Sequence, residues 1–295
     1  MEDLMIRNRI HRVIPIVVLA AYGWSQSVAQ SPSGCTFRKV QIQTDYTSVY
    51  GINNKNAIVG TYNPSSSSQA AFILYNKIVT AIFYPGAAMT SGFGINDNGD
   101  IVGAYVLPGI GTPDIGFARV NGKFVSISFP GALSTSATGI DIQGRIVGSY
   151  QDSSGVFHGF SYFGGIYTAI NYPNEPSTIV STNNNNGVIA GAYLDSSNLE
   201  HGFIAQSGQF TRIDYPGAAN TIVSQVNGNG VIAGTYYDSS FTTWEGFVVV
   251  NGRFQKISDP AASTQTAVNG ITDNNVLVGN AGYSGAGFLA MGCVP

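Results

Sequence analysis

Short runs of alternating apolar and polar residues fill the chain after residue 36, and glycine-bearing turns separate them. The stretch from residue 138 to residue 171 shows the pattern most clearly. A short run ends at Ile140, and further runs follow at Arg145–Tyr150, His158–Phe163 and Ile166–Asn171. Alternation with a period of two between glycine-bearing turns is typical of antiparallel hairpins. The pattern therefore predicts four short antiparallel strands in this stretch and no helix.

This stretch is one copy of a sequence repeat. A word of the form Gly-Ile-Asn-x-Asn-Gly-x-Ile-Val-Gly-x-Tyr starts at Gly51, Gly94, Gly139, Thr182, Gln225 and Gly270. Successive starts are 43, 45, 43, 43 and 45 residues apart. A four-stranded unit of this length has the size of a propeller blade. We therefore predict an all-β fold, a six-bladed β-propeller with four antiparallel strands per blade.

A glycine recurs in the middle of the second predicted strand. It is found at Gly60, Gly103, Gly148, Gly191, Gly234 and Gly279. A mid-strand glycine usually marks the close approach of another backbone or of a large side chain. We expect these glycines to make room for aromatic side chains of the adjoining blade.

The two ends of the chain complement each other. Phe37–Ile42 has the pattern of a fourth strand, whereas the last repeat stops after its third strand, at Phe288–Met291. If the two segments pair, the N-terminal strand closes the last blade. The chain's two cysteines, Cys35 and Cys293, then lie at the tip of one hairpin. We therefore predict a disulfide between them, as expected for an exported protein.

The first 29 residues differ from the rest. Three arginines precede the apolar run Val13–Ala21, and small residues follow at Ser27-Val28-Ala29. This is the pattern of a secretory signal peptide over residues 1–29, which leaves a single propeller domain over residues 30–295. The apolar run is too short for a hydrocarbon core of ~30 Å, so no membrane span is expected. We expect a secreted protein, extracellular or periplasmic, with lipid attachment at Cys35 as an alternative.

Charged residues make up 10% of the chain, and the net charge is −3. Soluble domains average roughly 25% charged residues, so hydroxyl, amide and backbone groups must solvate this surface. No basic run follows the leader. Attraction to phosphate dominates nucleic-acid binding, so a nucleic-acid partner is not expected. We expect a monomer.

Two recurrent words resemble those of the HAF-type extracellular repeat family. The first appears as Ala70-Ala71-Phe72, His158-Gly159-Phe160 and His201-Gly202-Phe203. The second group includes the phrases Gly94–Gly103 and Ile213–Ala218. The resemblance covers the chain after the leader. It implies an exported, propeller-forming protein, and it carries no activity or site residues.

The polar residues that could support catalysis occupy repeated positions. His158 and His201 fall at the same place in successive repeats, so we expect a packing role. The aspartates 152, 195 and 238 also share one position, where turn residues hydrogen-bond their own backbone. Asn96–Asp100 has the acid and amide density of a calcium loop, but Thr182–Val188 at the same position carries no acid. We predict hairpin turns here, and we predict no catalytic residue, metal site or cofactor.

Candidate ligand-binding residues lie where loops depart from the repeat. The loop Val106–Ile115 is longer by two residues and contains Asp114. The loop Tyr237–Glu245 is longer by one residue and contains Trp244, and Glu175 follows in a loop between repeats. In a propeller, loops between the second and third strands share a face with loops between blades. The candidates on this face are Tyr237, Trp244, Glu245, Asp114 and Glu175.

A tryptophan beside a carboxylate suits stacking on a sugar ring whose hydroxyls the acid binds. Alternatively, Trp244 covers its own hairpin. We therefore expect a non-catalytic binding module for an extracellular glycan or another cell-surface ligand. One alternative is a hydrolase of polysaccharides or esters, in which two of the three candidate carboxylates form the catalytic pair. Another is a structural surface protein.

Overall fold

The computed structural model describes residues 34–42, 46–65, 68–238, 240, 242–262, 265–282 and 286–294, together with the backbone of residues 25–29. Residues 1–24, which hold most of the predicted signal peptide, lie outside the described residues. Every regular element in the described part is a β-strand. No helix there is long and apolar enough to cross a membrane.

The strands in chain order are β1 Ser25–Ala29, β2 Thr36–Val40, β3 Thr47–Ile52, β4 Ile58–Ser65, β5 Ser68–Tyr75, β6 Ile78–Ile82, β7 Met89–Ile95, β8 Ile101–Val106, β9 Ile115–Val120, β10 Lys123–Ile127, β11 Ser134–Ile140, β12 Ile146–Gln151, β13 Phe157–Phe163, β14 Ile166–Ile170, β15 Ser177–Asn183, β16 Ile189–Leu194, β17 Glu200–Gln206, β18 Gln209–Ile213, β19 Asn220–Val226, β20 Ile232–Tyr237, β21 Trp244–Val250, β22 Arg253–Ile257, β23 Thr266–Ile271, β24 Leu277–Ala281 and β25 Ala286–Met291.

Four consecutive strands form an antiparallel meander, and this unit repeats along the chain. The meanders are β3–β6, β7–β10, β11–β14, β15–β18 and β19–β22, and β23–β25 form the last meander together with β2. The first two meanders share one sheet through a single bridge between Gln69 and Met89. The arrangement is a β-propeller and confirms the predicted all-β class.

The chain ends meet in the last meander, as the sequence predicts. Strand β2 pairs antiparallel with β25, with Thr36 opposite Met291 and Val40 opposite Gly287. A disulfide joins Cys35 to Cys293 across 258 residues of sequence, with their Cα atoms 4.2 Å apart. The predicted pairing and the predicted disulfide are both confirmed.

The apolar core lies between successive meanders, because each sheet covers one face of the next. Glycines of the Gly-Phe word allow the sheets to approach closely. A Cβ atom on Gly246 would lie 2.4 Å from Val268 of the next meander, and one on Gly287 would lie 2.3 Å from Val49. Since Gly287 belongs to the last meander and Val49 to the first, the first and last meanders pack as the others do.

The mid-strand glycines make room for neighbours other than the predicted ones. A Cβ atom on Gly60 would lie 2.1 Å from the carbonyl oxygen of Ser48 and 2.8 Å from the ring of Phe72. Both neighbours belong to the same meander as Gly60, on its first and third strands. The expected contact with aromatic side chains of the adjoining blade is therefore wrong. The strand register shifts between Val49 and Gly51, at the place opposite Gly60. The Ser48 carbonyl that lies close to Gly60 directly precedes this shift.

The Asn-x-Asn-Gly turns link neighbouring meanders by side-chain hydrogen bonds. Asn53 accepts bonds at Oδ1 from the amides of Lys55 and Ala57, and its Nδ2 donates to the carbonyl of Asn96, 2.8 Å away. The same donation recurs from Asn96 to Asp141, from Asn184 to Asn227 and from Asn227 to Thr272. These turns form a belt from meander to meander, and Asn96–Asp100 is a hairpin turn, as predicted.

One strand arises from residues assigned to the predicted leader. Strand β1 runs parallel to β22, with Ser25 opposite Arg253 and Ala29 opposite Gln255. It covers an edge that would otherwise present unpaired backbone groups. The signal peptide over residues 1–29 stays a prediction.

Candidate functional site

Aromatic rings fill the junctions between meanders. A tyrosine or phenylalanine after the fourth strand of one meander stacks on a tyrosine near the end of the second strand of the next. In the described part, four such pairs have ring centroids 3.6 to 3.7 Å apart: Tyr84–Tyr105, Phe129–Tyr150, Tyr172–Tyr193 and Tyr215–Tyr236. Beside each pair lie two further rings, such as Phe247 and Phe254 beside Tyr215. We call each of these places an aromatic station.

The junction between β19–β22 and the last meander lacks the stacked pair. Asp259 stands at the repeat position of Tyr215, and Ala281 stands at the position of Tyr236. The two further rings remain as Phe37 and Phe288, with centroids 5.2 Å apart. An open pocket of about 740 Å³ lies there. We call it the Asp259 pocket, and the lining residues that matter here are Phe37, Lys39, Asp259, Gln265, Ala281, Ala286 and Phe288.

A third small residue enlarges this pocket. Ala286 occupies the repeat position that holds His158, His201 and Glu245 in three other meanders. The two members of the stacked pair are therefore replaced by smaller residues, and Ala286 leaves further room, as Ala70 does at the same position of the first repeat. The resulting volume falls within the range of roughly 300–1,000 Å³ that small-molecule sites occupy.

Polar groups surround the aromatic floor of the pocket. Two hydrogen bonds fix Asp259: its Oδ1 accepts from the backbone amide of Ala261 at 2.9 Å, and its own amide donates to the Thr266 side-chain Oγ1 on β23 at 3.0 Å. Gln265 follows in the same loop. Lys39, on β2, pairs with Phe288 on β25. The pocket can thus receive a ring with an apolar face and a polar edge.

Two predicted residues lie beside this pocket. Tyr237 and Trp244 are cross-strand partners, with ring centroids 6.2 Å apart. Trp244 also forms a parallel bridge with Gln265, which lines the pocket. Burial and the nearby charge of Glu200 raise the pKa of Tyr237, so its hydroxyl stays protonated. Trp244 therefore adjoins the Asp259 pocket through its backbone, and neither Tyr237 nor Trp244 is among the described residues that line it.

Glu245 faces another environment although it follows Trp244 directly. Successive side chains of a strand point to opposite faces. The Glu245 side chain is buried, and its Oε1 accepts from Lys256 Nζ at 2.8 Å. Its Oε2 is also buried and has no hydrogen-bond partner. Burial and, to a smaller extent, the charge of Glu245 raise the pKa of Tyr215 and of Tyr236, so the Glu245 side chain belongs to the aromatic station of these two tyrosines.

Asp114 and Glu175 lie at other junctions. Asp114 directly precedes β9, and its carbonyl accepts from the amide of Thr135 at 3.0 Å. Partial desolvation raises the pKa of the Asp114 carboxyl. Glu175 lies in the turn between β14 and β15. No described contact joins either residue to the Asp259 pocket.

The two histidines are held by side chains of their own meanders. His158 Nε2 lies 3.0 Å from Asp152 Oδ2, and its Nδ1 lies 3.1 Å from Asn171 Oδ1. His201 makes the corresponding contacts with Asp195 and Asp214, both at 3.2 Å. These contacts agree with the packing role expected for both histidines.

The sequence contains a signal for the pocket that loop lengths do not reveal. Four repeats carry Tyr-Pro or Phe-Pro after the fourth strand, whereas the fifth carries Asp259-Pro260. The last repeat also has Ala281 where five others have tyrosine. Comparing the repeats for a junction that lacks both rings of the pair would have pointed here, because Ile42 replaces only one ring at the junction with the first repeat.

No protein-family model matches the chain, and no curated protein sequence matches it. Solved propeller structures are similar. AofleA from Arthrobotrys oligospora has a TM-score of 0.51 at 12% identity, over 88% of this chain and 87% of that chain. A mutant of the Aleuria aurantia lectin in complex with Fucalpha1-6GlcNAc has a TM-score of 0.52 at 13% identity, over 85% and 97%. TolB from Acinetobacter baumannii has a TM-score of 0.55 at 12% identity, over 71% and 53%. Such low identity shows a shared fold alone.

Proposed function

We propose that this protein is a secreted, non-catalytic carbohydrate-binding module and that the Asp259 pocket is its binding site. The chain would be a monomeric, six-bladed propeller over residues 30–295, of the HAF-type repeat family that its words resemble. The disulfide supports export, because disulfides persist in oxidising compartments. The contact between Gly287 and Val49 supports a closed ring, because it joins the last meander to the first.

One observation carries the proposed function: the junction before the last meander has lost both members of its stacked aromatic pair and has kept the rings beside it. At the junction between the last and the first meander Ile42 replaces one member, but Tyr62 remains. Phe37 is partly exposed and thus offers aromatic surface to an outside ligand, whereas Phe288 is buried behind it. Sugars have an apolar face that stacks on such rings and hydroxyls that bind carboxylate and amide groups. Asp259 and Gln265 supply those groups at the same pocket. The fold shared with a lectin solved in complex with Fucalpha1-6GlcNAc is compatible with this assignment.

The predicted residues contribute unequally to this proposal. Trp244 would extend the binding surface, because its backbone bridge to Gln265 places it next to the pocket, and Tyr237 would support its ring from the neighbouring strand. Glu245 supports the neighbouring station through Lys256. Asp114 and Glu175 stay candidates for further contacts in loops of other junctions.

A binding role fits this pocket better than hydrolysis. Glycosidases use two carboxyl groups, about 5–5.5 Å apart in retaining and about 6.5–9.5 Å apart in inverting enzymes. Among the described residues that line the pocket, Asp259 supplies the one carboxylate. A paired-acid mechanism therefore has no second group there.

A glycan array tests the proposal with the wild-type protein, Trp244→Ala and the control Leu133→Ala. Leu133 is an exposed apolar residue beside another junction. We expect the wild type and the control to bind the same glycans, and Trp244→Ala to bind them about tenfold more weakly, a loss of about 1.4 kcal/mol. A wild-type protein that binds no glycan contradicts the proposed function. Equal binding by Trp244→Ala removes Trp244 from the site.

A further inference from the structure

Polar side chains at one position of the fourth strand find partners inside their own aromatic stations. Ser126 Oγ lies 2.8 Å from the Tyr84 hydroxyl and 2.9 Å from the Tyr105 hydroxyl. Lys256 pairs with Glu245 at 2.8 Å. Arg212 makes the corresponding contacts with Asp214 and His201. At these stations the polar group is satisfied by the protein itself.

Lys39 occupies the same position in the Asp259 pocket, and its partners are missing. Ala286 replaces the residue equivalent to Glu245, and Ala281 replaces the tyrosine. Lys39 forms no ion pair with any described carboxylate. Asp259 lines the same pocket, but its carboxylate is not within ion-pair distance of the Lys39 ammonium group. The pocket therefore presents one ammonium group and one carboxylate separately to whatever enters.

Starting from the proposed function, we infer that the ligand of the Asp259 pocket is an acidic sugar, a uronate-bearing glycan. The uronate carboxylate pairs with the Lys39 ammonium, and charge assistance makes such a hydrogen bond about twice as strong as a neutral one. The sugar ring lies against Phe37, with Phe288 buried behind that ring, and its hydroxyls donate to Asp259. A group with two negative charges fits less well, because Asp259 would repel the second charge.

The direct test compares uronate oligosaccharides with the same oligosaccharides after carboxyl reduction. The two forms share stereochemistry and hydroxyls and differ only in the anionic group. At low salt we expect the wild-type protein to bind the best uronate at least tenfold more tightly than its reduced form. The difference should shrink in 1 M salt, where the Debye length is about 3 Å.

Lys39→Met and Lys39→Arg assign the effect to this side chain. Lys39 is exposed, so neither change should affect folding. Lys39→Met should bind both forms with the affinity of the wild type for the reduced form, and Lys39→Arg should keep the preference. Lys123→Met, at an exposed lysine of β10, is the matched control and should bind as the wild type does.

The outcomes separate the two proposals. A wild type that binds reduced and acidic forms equally overturns the uronate assignment and leaves carbohydrate binding in place. A preference that survives Lys39→Met also overturns the assignment, because the charge would then act elsewhere. A wild type that binds neither form, nor any other glycan, overturns the proposed function together with the inference.

Discussion

Asn54 and Asp273 are 219 residues apart in the chain and hold each other by two hydrogen bonds. The Asp273 amide donates to Asn54 Oδ1 at 2.8 Å, and Asn54 Nδ2 donates to Asp273 Oδ2 at 3.0 Å. Asp273 Oδ1 also accepts from the amide of Gly228 at 2.6 Å. Asp273 therefore links the last turn of the belt both to the turn before it and to the first turn.

Replacing Asp273 should weaken the fold measurably. Asp273→Ala leaves the Gly228 amide and Asn54 Nδ2 without these acceptors. An unmade bond to a partly buried group costs about 1–3 kcal/mol. We expect urea denaturation to show a loss of unfolding free energy in this range. Lys55→Ala, at an exposed residue of the first turn, is the control, and equal stability of the two variants would contradict the role of Asp273.

Removing the disulfide should loosen one edge before the whole fold. Cys35 and Cys293 close a loop of 258 residues, for which loop entropy suggests a loss of about 5 kcal/mol as an upper value. The β2–β25 pairing and the Asn54–Asp273 contact do not involve the sulfur atoms, so we expect both to persist without the disulfide. In Cys35→Ser/Cys293→Ser, hydrogen exchange should therefore accelerate first in β2. Uniform acceleration in all strands would instead show that the disulfide alone holds the ends together.

Acid should destabilise the hairpins that follow the second strands. Hydrogen bonds from Thr243 and Ser240 lower the pKa of Asp238 to about 2. Bonds from neighbouring residues lower the pKa of Asp152 and of Asp195 as well. The unfolded aspartate has a pKa of about 3.9. The Asp238 carboxylate therefore stabilises the fold above pH ~4, and this contribution is lost as the pH falls towards ~2. The contributions of Asp152 and Asp195 have the same sign and are also lost in acid.

Asp238→Asn isolates one of these contributions. The thermal midpoint of the variant should lie below that of the wild type at pH 6, and the two should converge as the pH falls to ~2. Thermal unfolding followed between pH 2 and pH 6 measures the difference. A constant difference across this range would mean that the charge of Asp238 does not act through these bonds.

Local signals in the sequence determine most of the fold. A period of two and turn residues at regular spacing specify strands, and an incomplete unit at each end specifies their pairing. The partner of Gly60 could not be predicted in this way. Whether Phe72 or a ring of the next sheet contacts it depends on the bulge after Val49, which the spacing does not reveal.

The candidate site was harder to predict because small residues create it. Asp259 and Ala281 are ordinary residues in isolation, and they matter only because rings occupy these positions elsewhere. The floor comes from both chain ends, through Phe37 and Phe288. The lengthened loop pointed to Trp244, which lies beside the pocket. It also pointed to Glu245, because the two residues are adjacent in sequence, but the Glu245 side chain packs against Lys256 instead.

Calorimetric titration of the best array glycan into the wild type and into Ala281→Tyr tests whether the Asp259 pocket binds the sugar. Tyrosine at this position restores half of the stacked pair present at four other junctions, so it should fill the Asp259 pocket without harming the fold. We expect saturable binding by the wild type. We expect no measurable binding by Ala281→Tyr, with a thermal midpoint at least as high as that of the wild type. Equal binding by a folded Ala281→Tyr protein would place the ligand elsewhere and rule out the Asp259 pocket as the binding site.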